Sequence, residues 1–351
     1  TWHNVVCILR INIKESTMLI LGIESSCDET GLALYSEDLG LIAHLVNSQI
    51  DLFTEYGGVI PEIAARDHSA KIIGILKQLL KQTDNNLEDI NLIAYTAGPG
   101  LIGSLMIGET VAKTIANVLN IELLPINHLE GHILAPGLEE DGLEPPYLCL
   151  LVSGGHTQII RCDGYGEYKI IGETIDDACG EAFDKVGKLL KLEYPGGPKV
   201  SKLAENGDSK RFKFPRAMMK DKNLNFSFSG LKTSVLYALE DLNEEDHADV
   251  AASFQEAVID ALTTKLMWAV QDTKIHKLVC SGGVASNKLL RERLKQMAAN
   301  NNLEVSYPRM EFCTDNAAMI AYAGFIRKKF KLPIYPTNFA RPRWPLGELY
   351  D

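Results

Sequence analysis

The sequence predicts an α/β fold made of two similar halves. Two observations carry this prediction. A strand, a polar turn and a second strand occur within 19–35 and again within 148–162. Elsewhere, short apolar runs alternate with longer segments in which apolar residues recur every three or four positions. Strands alternating with helices are typical of α/β proteins, and two hairpins about 130 residues apart indicate a duplicated unit.

The first half contains the first hairpin, Leu19–Ile23 and Leu32–Tyr35, around a polar tip at residues 24–30. A helix is predicted over 60–80, with Pro61 suited to its first turn. The run "INLIAYTAGPG" reads as a strand and a loop, "LIGSLMIGETVAKTIANVL" as a helix, and "IELLPI" as a further strand.

The second half opens with the second hairpin, Leu148–Val152 and Gln158–Cys162, around a Gly-Gly turn. The same alternation then continues to the end of the chain. Helices are predicted near 178–190, 229–240, 248–272, 285–299 and 315–330, and strands near 277–281 and 303–307.

Composition limits the possible classes. The chain has 351 residues, 46% of them hydrophobic, and no apolar run long enough for a membrane helix. Its seven cysteines form no CxxC pair, which favours a reducing cytoplasm over a disulfide framework. The net charge of −11 disfavours general nucleic-acid binding, so any RNA contact needs a local basic patch or a partner.

Residues 1–17 read as an N-terminal extension before a functional start at Met18. They have one apolar patch and no clean signal-peptide cleavage site. An ordered extra strand is the alternative.

Three loops have the character of ligand-binding turns. "VCSGGVASNKLL" follows a strand and opens a helix, where Gly282 and Gly283 allow close backbone approach and Asn287 can hydrogen-bond a ribose or base. The turn Ser153–Gly155 and the polar tip 24–30 are similar. A plain strand-to-helix turn is the alternative, and no P-loop or GxGxxG sequence is present.

A further pair of glycines, Gly196 and Gly197, precedes a helix, and Asp184 lies on a helix expected to face the same cleft. An aspartate on a helix is more often a solvated charge, so the pattern alone gives Asp184 little functional weight.

The stretch "INHLEGHILAP" places His128 and His132 four residues apart. On a helix such a pair lies on one face and suits a divalent metal. Asp315, at the start of a later helix, is a candidate third ligand or equally an N-cap. Two unrelated surface histidines are the alternative. A metalloprotease is disfavoured because Glu130 follows His128 by two positions, whereas the base of HExxH follows immediately.

Nine segments together are similar to one family. They include "GIESSCDETGLALY", "NHLEGHILAP", "LVSGGHTQ", "FDKVGKLL", "YPGGP", "FSFSGLKTSV", "SGGVASN", "TDNAAMIA" and "RPRWPL". In this order they resemble the bacterial TsaD family, the tRNA N6-adenosine threonylcarbamoyltransferases once described as glycoproteases. The resemblance runs from Met18 to about Leu346.

The resemblance implies an actin/sugar-kinase/Hsp70-like (ASKHA) fold with two lobes around a nucleotide cleft. We expect 18–130 plus 316–351 to form the N-terminal lobe and 131–315 the C-terminal lobe. The implied reaction moves the threonylcarbamoyl group from threonylcarbamoyl-AMP to N6 of the adenosine 3′ of the anticodon, in tRNAs that read codons beginning with A. AMP is released.

The resemblance also implies site residues. His128, His132 and Asp315 are then the ligands of one divalent ion, iron or zinc. The activated substrate is then contacted by Asp184, Gly197, Asn287 and the loop 151–155. This loop comprises Leu151, Val152, Ser153, Gly154 and Gly155. Leu151 stands where archaeal and eukaryotic relatives have a tyrosine ligand, so substrate or water is expected to complete the coordination.

The general base is predicted in the first loop, where Asp28 and Glu24 are the candidates by position. The implied partners are tRNA, a shorter TsaB-like paralogue and a small TsaE-like ATPase, with no membrane. Helices within 60–83 or 102–119 are candidates for the contact with the paralogue.

Two basic runs are candidates for RNA contact. The first, "SKRFKFPRAMMKDK", has Phe212 and Phe214 between its cations and is otherwise a solvated loop burying two phenylalanines. The second comprises "RKKFK" at 327–331 with Arg341 and Arg343. Two alternatives to the transferase remain at this point: a small-molecule kinase of the same fold and a non-catalytic nucleotide switch.

Overall fold

The computed structural model describes residues 18–139, 143–220, 222–336 and 339–350. The predicted extension 1–17 lies outside these residues. Within them, strands and helices alternate as the sequence predicts, and they form two five-stranded mixed sheets.

The first sheet has the strand order β3-β2-β1-β4-β5. Strands β1 to β3 form an antiparallel meander, and β4 and β5 continue parallel to β1. The bounds are β1 Leu19–Glu24, β2 Glu29–Ser36, β3 Gly40–Ser48, β4 Leu92–Gly98 and β5 Glu122–Asn127.

The second sheet repeats this topology in the order β8-β7-β6-β9-β10. Again a meander of three antiparallel strands is extended by two parallel ones. The bounds are β6 Tyr147–Val152, β7 Thr157–Gly164, β8 Glu167–Glu173, β9 Lys277–Ser281 and β10 Glu304–Ser306. The duplication inferred from the two hairpins is therefore confirmed at the level of topology.

Ten α-helices lie within the described residues, together with short 3₁₀ turns. Their bounds are α1 Ile50–Thr54, α2 Pro61–Thr83, α3 Ile102–Leu119, α4 His128–Leu134, α5 Cys179–Leu189, α6 Gly196–Ala204, α7 Ser229–Leu239, α8 His247–Thr273, α9 Lys288–Asn301 and α10 Ala317–Lys329.

Helices cover both faces of the first sheet because its central strand is apolar on both sides. Leu21 of β1 belongs to a core with Ile72 and Ile75 of α2, whereas the neighbouring Ile20 belongs to a core with α10. Alternate residues of a strand point to opposite faces, which gives this division. Gly22 lets α10 approach closely, since a Cβ there would collide with the carbonyl oxygen of Ala317.

Helix α10 follows the second sheet in the chain but packs on β1, β2 and β4 of the first. The assignment of residues after 316 to the N-terminal lobe stays a prediction, as do the exact lobe boundaries.

The short helix α4 lies between the two sheets. Leu129 and Ile133 of α4 share a core with Cys149 and Leu151 of β6. The alternate residues of β6, such as Leu150, belong instead to the core built with α5 and α8. The histidine helix is therefore held against the second sheet while its chain continues from β5 of the first.

Two strands were absent from the sequence-based prediction. These are β3 and β8, the outer strands of the two meanders, and β8 is largely half-exposed, so its apolar pattern is weak. The six described cysteines are free thiols. Among the described helices, none has the length and apolarity needed to cross a membrane.

Candidate functional site

Two histidines of α4 and a carboxylate that is distant in the sequence converge in the structure. His128 and His132 lie one helical turn apart, with ring centroids 4.8 Å from each other. The Oδ1 atom of Asp315 lies 3.0 Å from Nε2 of His132 and 3.4 Å from Nε2 of His128. The N-cap of α10 is Asn316, which accepts a hydrogen bond from the amide of Met319, so Asp315 is not the cap.

The donor set and its spacing fit a divalent cation. One ligand atom from each of the three residues can be chosen so that all lie within 4.8 Å of one another. Two ligand atoms bound at about 2.1 Å to one ion, at an angle of about 90–109°, are about 3.0–3.4 Å apart. The two carboxylate–imidazole distances above fall in this range.

Glu24, at the end of β1, fixes the orientation of His128. Its Oε2 atom lies 3.0 Å from Nδ1 of His128, which leaves Nε2 of that ring facing Asp315. The hydroxyl of Thr96 donates to the same carboxylate oxygen at 2.6 Å, and the amide of Ser26 donates to the other. Glu24 is completely buried, and both of its oxygens are engaged within the protein.

The electrostatics of the cluster favour a positive charge. Burial by itself would lower the pKa of His128, but the carboxylates of Asp315 and Glu24 raise it well above its ordinary value. Burial would likewise raise the pKa of Asp315, but His128 and His132 hold it below its usual range. Burial raises the pKa of Asp28 and of Glu29, and the negative charge of Asp315 adds to both effects.

Helix α4 begins at this point because Asn127 caps it. The side-chain oxygen of Asn127 accepts hydrogen bonds from the amides of Leu129 at 2.9 Å and Glu130 at 3.4 Å. Its Nδ2 atom donates to the carbonyl oxygen of Trp344 at 3.0 Å. An Asn cap leaves the first helical amides satisfied, so the cap fixes His128 and also ties the C-terminal segment to the site.

Glu130 points away from the cluster into a closed network. Its carboxylate accepts hydrogen bonds from Arg327 at 3.1 and 3.3 Å, from the Tyr168 hydroxyl at 3.1 Å and from the Tyr335 hydroxyl at 2.7 Å. It is fully buried. This environment offers no route for Glu130 to a substrate, which agrees with the rejection of a metalloprotease.

A cleft of about 590 Å³ opens beside the cluster. Eight of the residues predicted from the sequence line it: Asp28, Ser153, Gly154, Asp184, Gly197, Gly283, Asn287 and Asp315. A Cβ added to Gly154 would meet no atom within 4 Å, so the backbone here is open to a ligand.

The other predicted residues lie around the cleft without lining it. Leu151 and Val152 are fully buried in β6, and Gly155 is exposed at the turn that follows. His128 and His132 contact Asp315, and Glu24 contacts His128, but none of these three lines the cleft. Leu151 packs in the core shared with α4, which places it below the histidine helix.

Two of the lining residues have structural partners. The Oδ1 atom of Asp184 accepts hydrogen bonds from the amides of Gly196 at 2.8 Å and Gly197 at 3.1 Å, at the start of α6. Asn287 caps α9 by accepting from the amide of Leu290 at 3.1 Å, and its Nδ2 atom donates to Gln255 at 2.7 Å. Both side chains therefore shape the cleft by fixing helix N-termini.

Several helices begin at this cleft. Gly180 in the first turn of α5, Gly197 in that of α6 and Lys288 in that of α9 all line it. Helix N-termini present free amides and the positive end of the helix dipole. The cleft is thus suited to an anionic group such as a phosphate.

Sequence reasoning identified one residue of the site only as part of a polar loop, and it missed another. Glu29 lines the cleft next to Asp28, and only its place in the polar tip 24–30 pointed to it. His68 of α2 lies behind the same loop, with Nδ1 2.7 Å from the Thr30 hydroxyl and Nε2 2.9 Å from the Cys27 carbonyl oxygen. A histidine within an amphipathic helix gives no signal for this bracing contact.

The first basic run is less available for RNA than its sequence suggests. Arg211 pairs with Asp246 and Asp249, and Arg216 pairs with Asp260. Phe214 is buried, and Phe212 stacks on it and packs against the core. The structure favours the alternative of a solvated loop that buries two phenylalanines. In the second run Arg327 is buried in the Glu130 network, and Lys328 pairs with Glu122.

Comparison with known proteins identifies relatives along most of the chain. Residues 40–322 match the family model described as TsaD: tRNA N6-adenosine threonylcarbamoyltransferase. A protein of Methylobacillus flagellatus with the name tRNA N6-adenosine threonylcarbamoyltransferase is 50% identical over 336 residues, which is 95% of this chain and 99% of that one.

Solved structures share the two-lobe architecture at low sequence identity. HypF in a phosphate- and nucleotide-bound form matches 91% of this chain with a TM-score of 0.62 and 13% identity, and this chain spans 47% of that protein. Component A of (R)-2-hydroxyglutaryl-CoA dehydratase from Acidaminococcus fermentans matches 87% with a TM-score of 0.51 and 13% identity, over 96% of its own length. These matches confirm the ASKHA-type fold. Neither the family model nor the relative from Methylobacillus flagellatus supports the kinase or switch alternatives.

Proposed function

Because the chain belongs to the TsaD family of tRNA N6-adenosine threonylcarbamoyltransferases, we propose that its cleft binds the activated donor beside a divalent ion held by His128, His132 and Asp315. The enzyme transfers a threonylcarbamoyl group to N6 of an adenosine in tRNA. The observation that carries the proposal is the convergence of three potential metal ligands at the edge of a cleft where helices begin.

The donor we propose is threonylcarbamoyl-AMP, which is a mixed anhydride. N6 of adenine is a weak nucleophile because its lone pair is delocalised into the ring, so the acyl group must arrive activated. The N-termini of α5, α6 and α9 supply amides for the phosphate. Ser153, Gly154 and Gly197 allow the nucleotide to lie close to the backbone, and Asp184 and Asn287 hold the helices that contact it.

The ligand set of two imidazoles and one carboxylate suits ferrous iron and is also compatible with zinc. We favour iron because such a triad is typical of non-haem Fe(II) sites. When bound, the ion supplies Lewis acidity toward an oxygen of the donor. Substrate or water completes its coordination, since Leu151 offers no ligand.

In the transfer, N6 of the adenosine attacks the carbamoyl carbon. A new C–N bond forms, the bond from that carbon to the phosphate oxygen breaks, and AMP leaves. The proton released from N6 goes to a base. We assign this role to Asp28, because it lines the cleft and burial raises the pKa of its carboxyl group toward that of a useful base. Glu24, the second candidate, we assign to orienting His128, because both of its oxygens have protein partners.

The acceptor we propose is the adenosine 3′ of the anticodon in tRNAs that read codons beginning with A. A TsaB-like paralogue and a TsaE-like ATPase are the proposed protein partners, and the cytoplasm is the proposed location. Ile73 of α2 and Met106 of α3 are exposed apolar residues on two helices that pack together, and they support this face as the contact for the paralogue.

The test is mass spectrometry of nucleosides from tRNA incubated with the chain, its partner proteins and threonylcarbamoyl-AMP. We expect threonylcarbamoyladenosine to form only when tRNA and donor are both present. In the same assay Asp28→Asn should lower the turnover about 10²–10⁴-fold and leave donor affinity within about twofold. Formation of a phosphorylated small molecule from ATP without tRNA would contradict the proposal, and equal losses of turnover and donor binding would remove Asp28 from its role.

A further inference from the structure

The C-terminal segment 339–346 is fixed on both sides of the site. The amide of Arg341 donates to the carbonyl oxygen of Ala97 at 2.6 Å, and the amide of Gly100 donates to that of Pro342 at 3.2 Å. Trp344 and Leu346 are buried and anchor the segment in the core. Its backbone therefore has one defined position along the loop that follows β4.

This segment borders the histidine cluster through two separate contacts. On one side, the loop after β4 reaches the first site loop, where the amide of Leu101 donates to the Ser26 carbonyl oxygen at 2.8 Å, and the Ser26 hydroxyl lies 3.2 Å from Nδ1 of His128. On the other side, the Trp344 carbonyl accepts from Asn127, the cap of the histidine helix. The backbone that carries Arg341 and Arg343 thereby adjoins two elements that border the histidine cluster.

Both arginines are available for an external anion. Arg343 is exposed, and Arg341 is half-exposed with its guanidinium 5.2 Å from the ring of Trp344. Among the described residues, no carboxylate lies within ion-pair distance of either one. This differs from the run 210–222, where Arg211 and Arg216 are neutralised by aspartates. In a chain with a net charge of −11 such arginines at a catalytic border are a local positive feature.

An aromatic side chain adjoins these cations. Phe339 is 74% exposed, with Nζ of Lys113 lying 5.0 Å from its ring centre. The adjacent amide of Ala340 donates to Glu109 at 3.0 Å, which fixes the backbone beside the ring. A single-stranded RNA contact usually combines two elements: arginines that bind the phosphates and an exposed aromatic ring that stacks on the bases.

We infer that residues 339–343 form a contact surface for the anticodon loop of the acceptor tRNA, with Arg341 and Arg343 on its phosphates and Phe339 on an unpaired base. The inference rests on the proposed function and adds to it the face from which the acceptor approaches. It also accounts for RNA binding by an acidic chain in whose longest basic run both arginines are paired with aspartates.

The experiment measures binding of an unmodified tRNA transcript to the chain, by filter retention over a series of KCl concentrations. The double variant Arg341→Gln/Arg343→Gln is compared with Lys213→Gln/Lys220→Gln, which removes two exposed charges from the other basic run. We expect the Kd for tRNA to rise about tenfold in the first variant and less than about twofold in the second, and the slope of log K against log salt to fall by about one to two only in the first.

Further measurements distinguish an RNA contact from a defect in nucleotide binding or in folding. AMP affinity should be unchanged in both variants, and the KM for tRNA should rise in Arg341→Gln/Arg343→Gln with little change in kcat. If that variant does not fold, the single change at the exposed Arg343 replaces it. Phe339→Ala should weaken binding while leaving the salt slope unchanged, because stacking releases no counterions.

Three results would overturn the inference: unchanged tRNA affinity, equal losses in the two double variants, or loss of binding to the TsaB-like protein with tRNA binding intact. The last would make 339–343 a protein-docking surface. Failure of the unaltered chain to modify tRNA would instead overturn the proposed function, so the two failures are distinguishable.

Discussion

The two sides of α4 carry ionisable groups that differ in how completely their hydrogen bonds are satisfied within the protein. On one side, Glu130 is enclosed by Arg327, Tyr168 and Tyr335, and each of its oxygens has partners. On the other side, His128 and His132 face the carboxylate of Asp315, and Nδ1 of His132 has no partner among the described residues. A closed network stabilises a fold, whereas an incompletely satisfied cluster beside a cleft is suited to binding something from outside.

This difference teaches how one short helix serves two purposes. Residues at i and i+4 share a face, and a residue at i+2 lies on the opposite side. Thus Glu130 joins three parts of the molecule behind the helix, namely α10, β8 and Tyr335 in the chain that follows α10. The histidines remain on the side of the cleft. Changes on one side should affect metal binding and changes on the other should affect stability, and the following predictions test this separation.

The largest effect is expected from removing the histidines. His128→Ala combined with His132→Ala takes away two of three proposed ligands, so bound metal should fall from about one ion per chain to background, as measured by elemental analysis. The circular dichroism spectrum should remain that of the folded chain. The matched control His247→Ala/His276→Ala, which alters two histidines away from the cleft, should retain the metal. Full occupancy in the first variant would contradict the assignment.

The next effect concerns the closed side of α4, which is the side that carries Glu130 and its network. Glu130→Ala leaves the buried guanidinium of Arg327 without its carboxylate, and such a loss typically lowers the free energy of unfolding by about 3–5 kcal/mol. Urea unfolding measures this change. Glu193→Ala is the control, because its exposed pair with Lys199 is screened by solvent and its loss should leave the urea midpoint nearly unchanged.

The comparison also requires a metal measurement on the closed side. Glu130→Gln keeps the size of the side chain and part of its hydrogen bonding, so the folded fraction should bind metal with nearly unchanged stoichiometry. If Glu130→Gln lost its metal while remaining fully folded, the two sides of α4 would not be independent.

A smaller effect is expected from Glu24. Glu24→Gln retains a hydrogen-bonding group next to Nδ1 of His128 but removes the charge that favours the proper orientation and basicity of that ring. Loss of such an outer partner typically weakens metal binding about 10–100-fold. Competition with a chelator of known affinity measures this change, and Thr96→Ser, which keeps the hydroxyl that contacts Glu24, is the control. Unchanged affinity in Glu24→Gln would show that the carboxylate does not support the ligand.

Much of this architecture could be predicted from the sequence because it depends on local periodicity. The two hairpins, the helix over 61–83 and the HxxxH spacing are local patterns, and their structures follow. The approach of Asp315 to a histidine 183 residues earlier depends on the return of α10 to the first sheet, which no local pattern encodes. The sequence pattern left Asp315 open between a third ligand and an N-cap, and the motif resemblance favoured the ligand.

Other features were ambiguous because one residue type serves two purposes. Asp184 and Asn287 have the chemistry of ligand-binding groups, yet the same carboxylate and amide cap the helices α6 and α9. A phenylalanine between cations can stack on RNA or fill a core, and Phe214 fills the core. Edge strands such as β8 are half-exposed, so their apolar pattern is too weak to recognise.

The smallest effect is a pH dependence of the stability of the metal-free protein. It tests whether His128, on the side of α4 that faces Asp315, carries a titratable positive charge that the side of Glu130 lacks. In the folded chain the pKa of His128 is raised by Asp315 and Glu24 above the value of about 6.5 expected for an unfolded chain. The unfolded state therefore releases this proton first as the pH rises, and the stabilisation present below about pH 6.5 is lost as the pH passes through the folded pKa.

In the presence of a chelator, the Tm should decline from about pH 6.5 upward. Because the ion replaces this proton, the rise in Tm caused by added metal should grow over the same range. The variant His128→Gln should lose the decline, whereas His247→Ala should keep it. A flat profile for the unaltered chain above pH 6.5 would show that His128 is not held protonated by its two carboxylates.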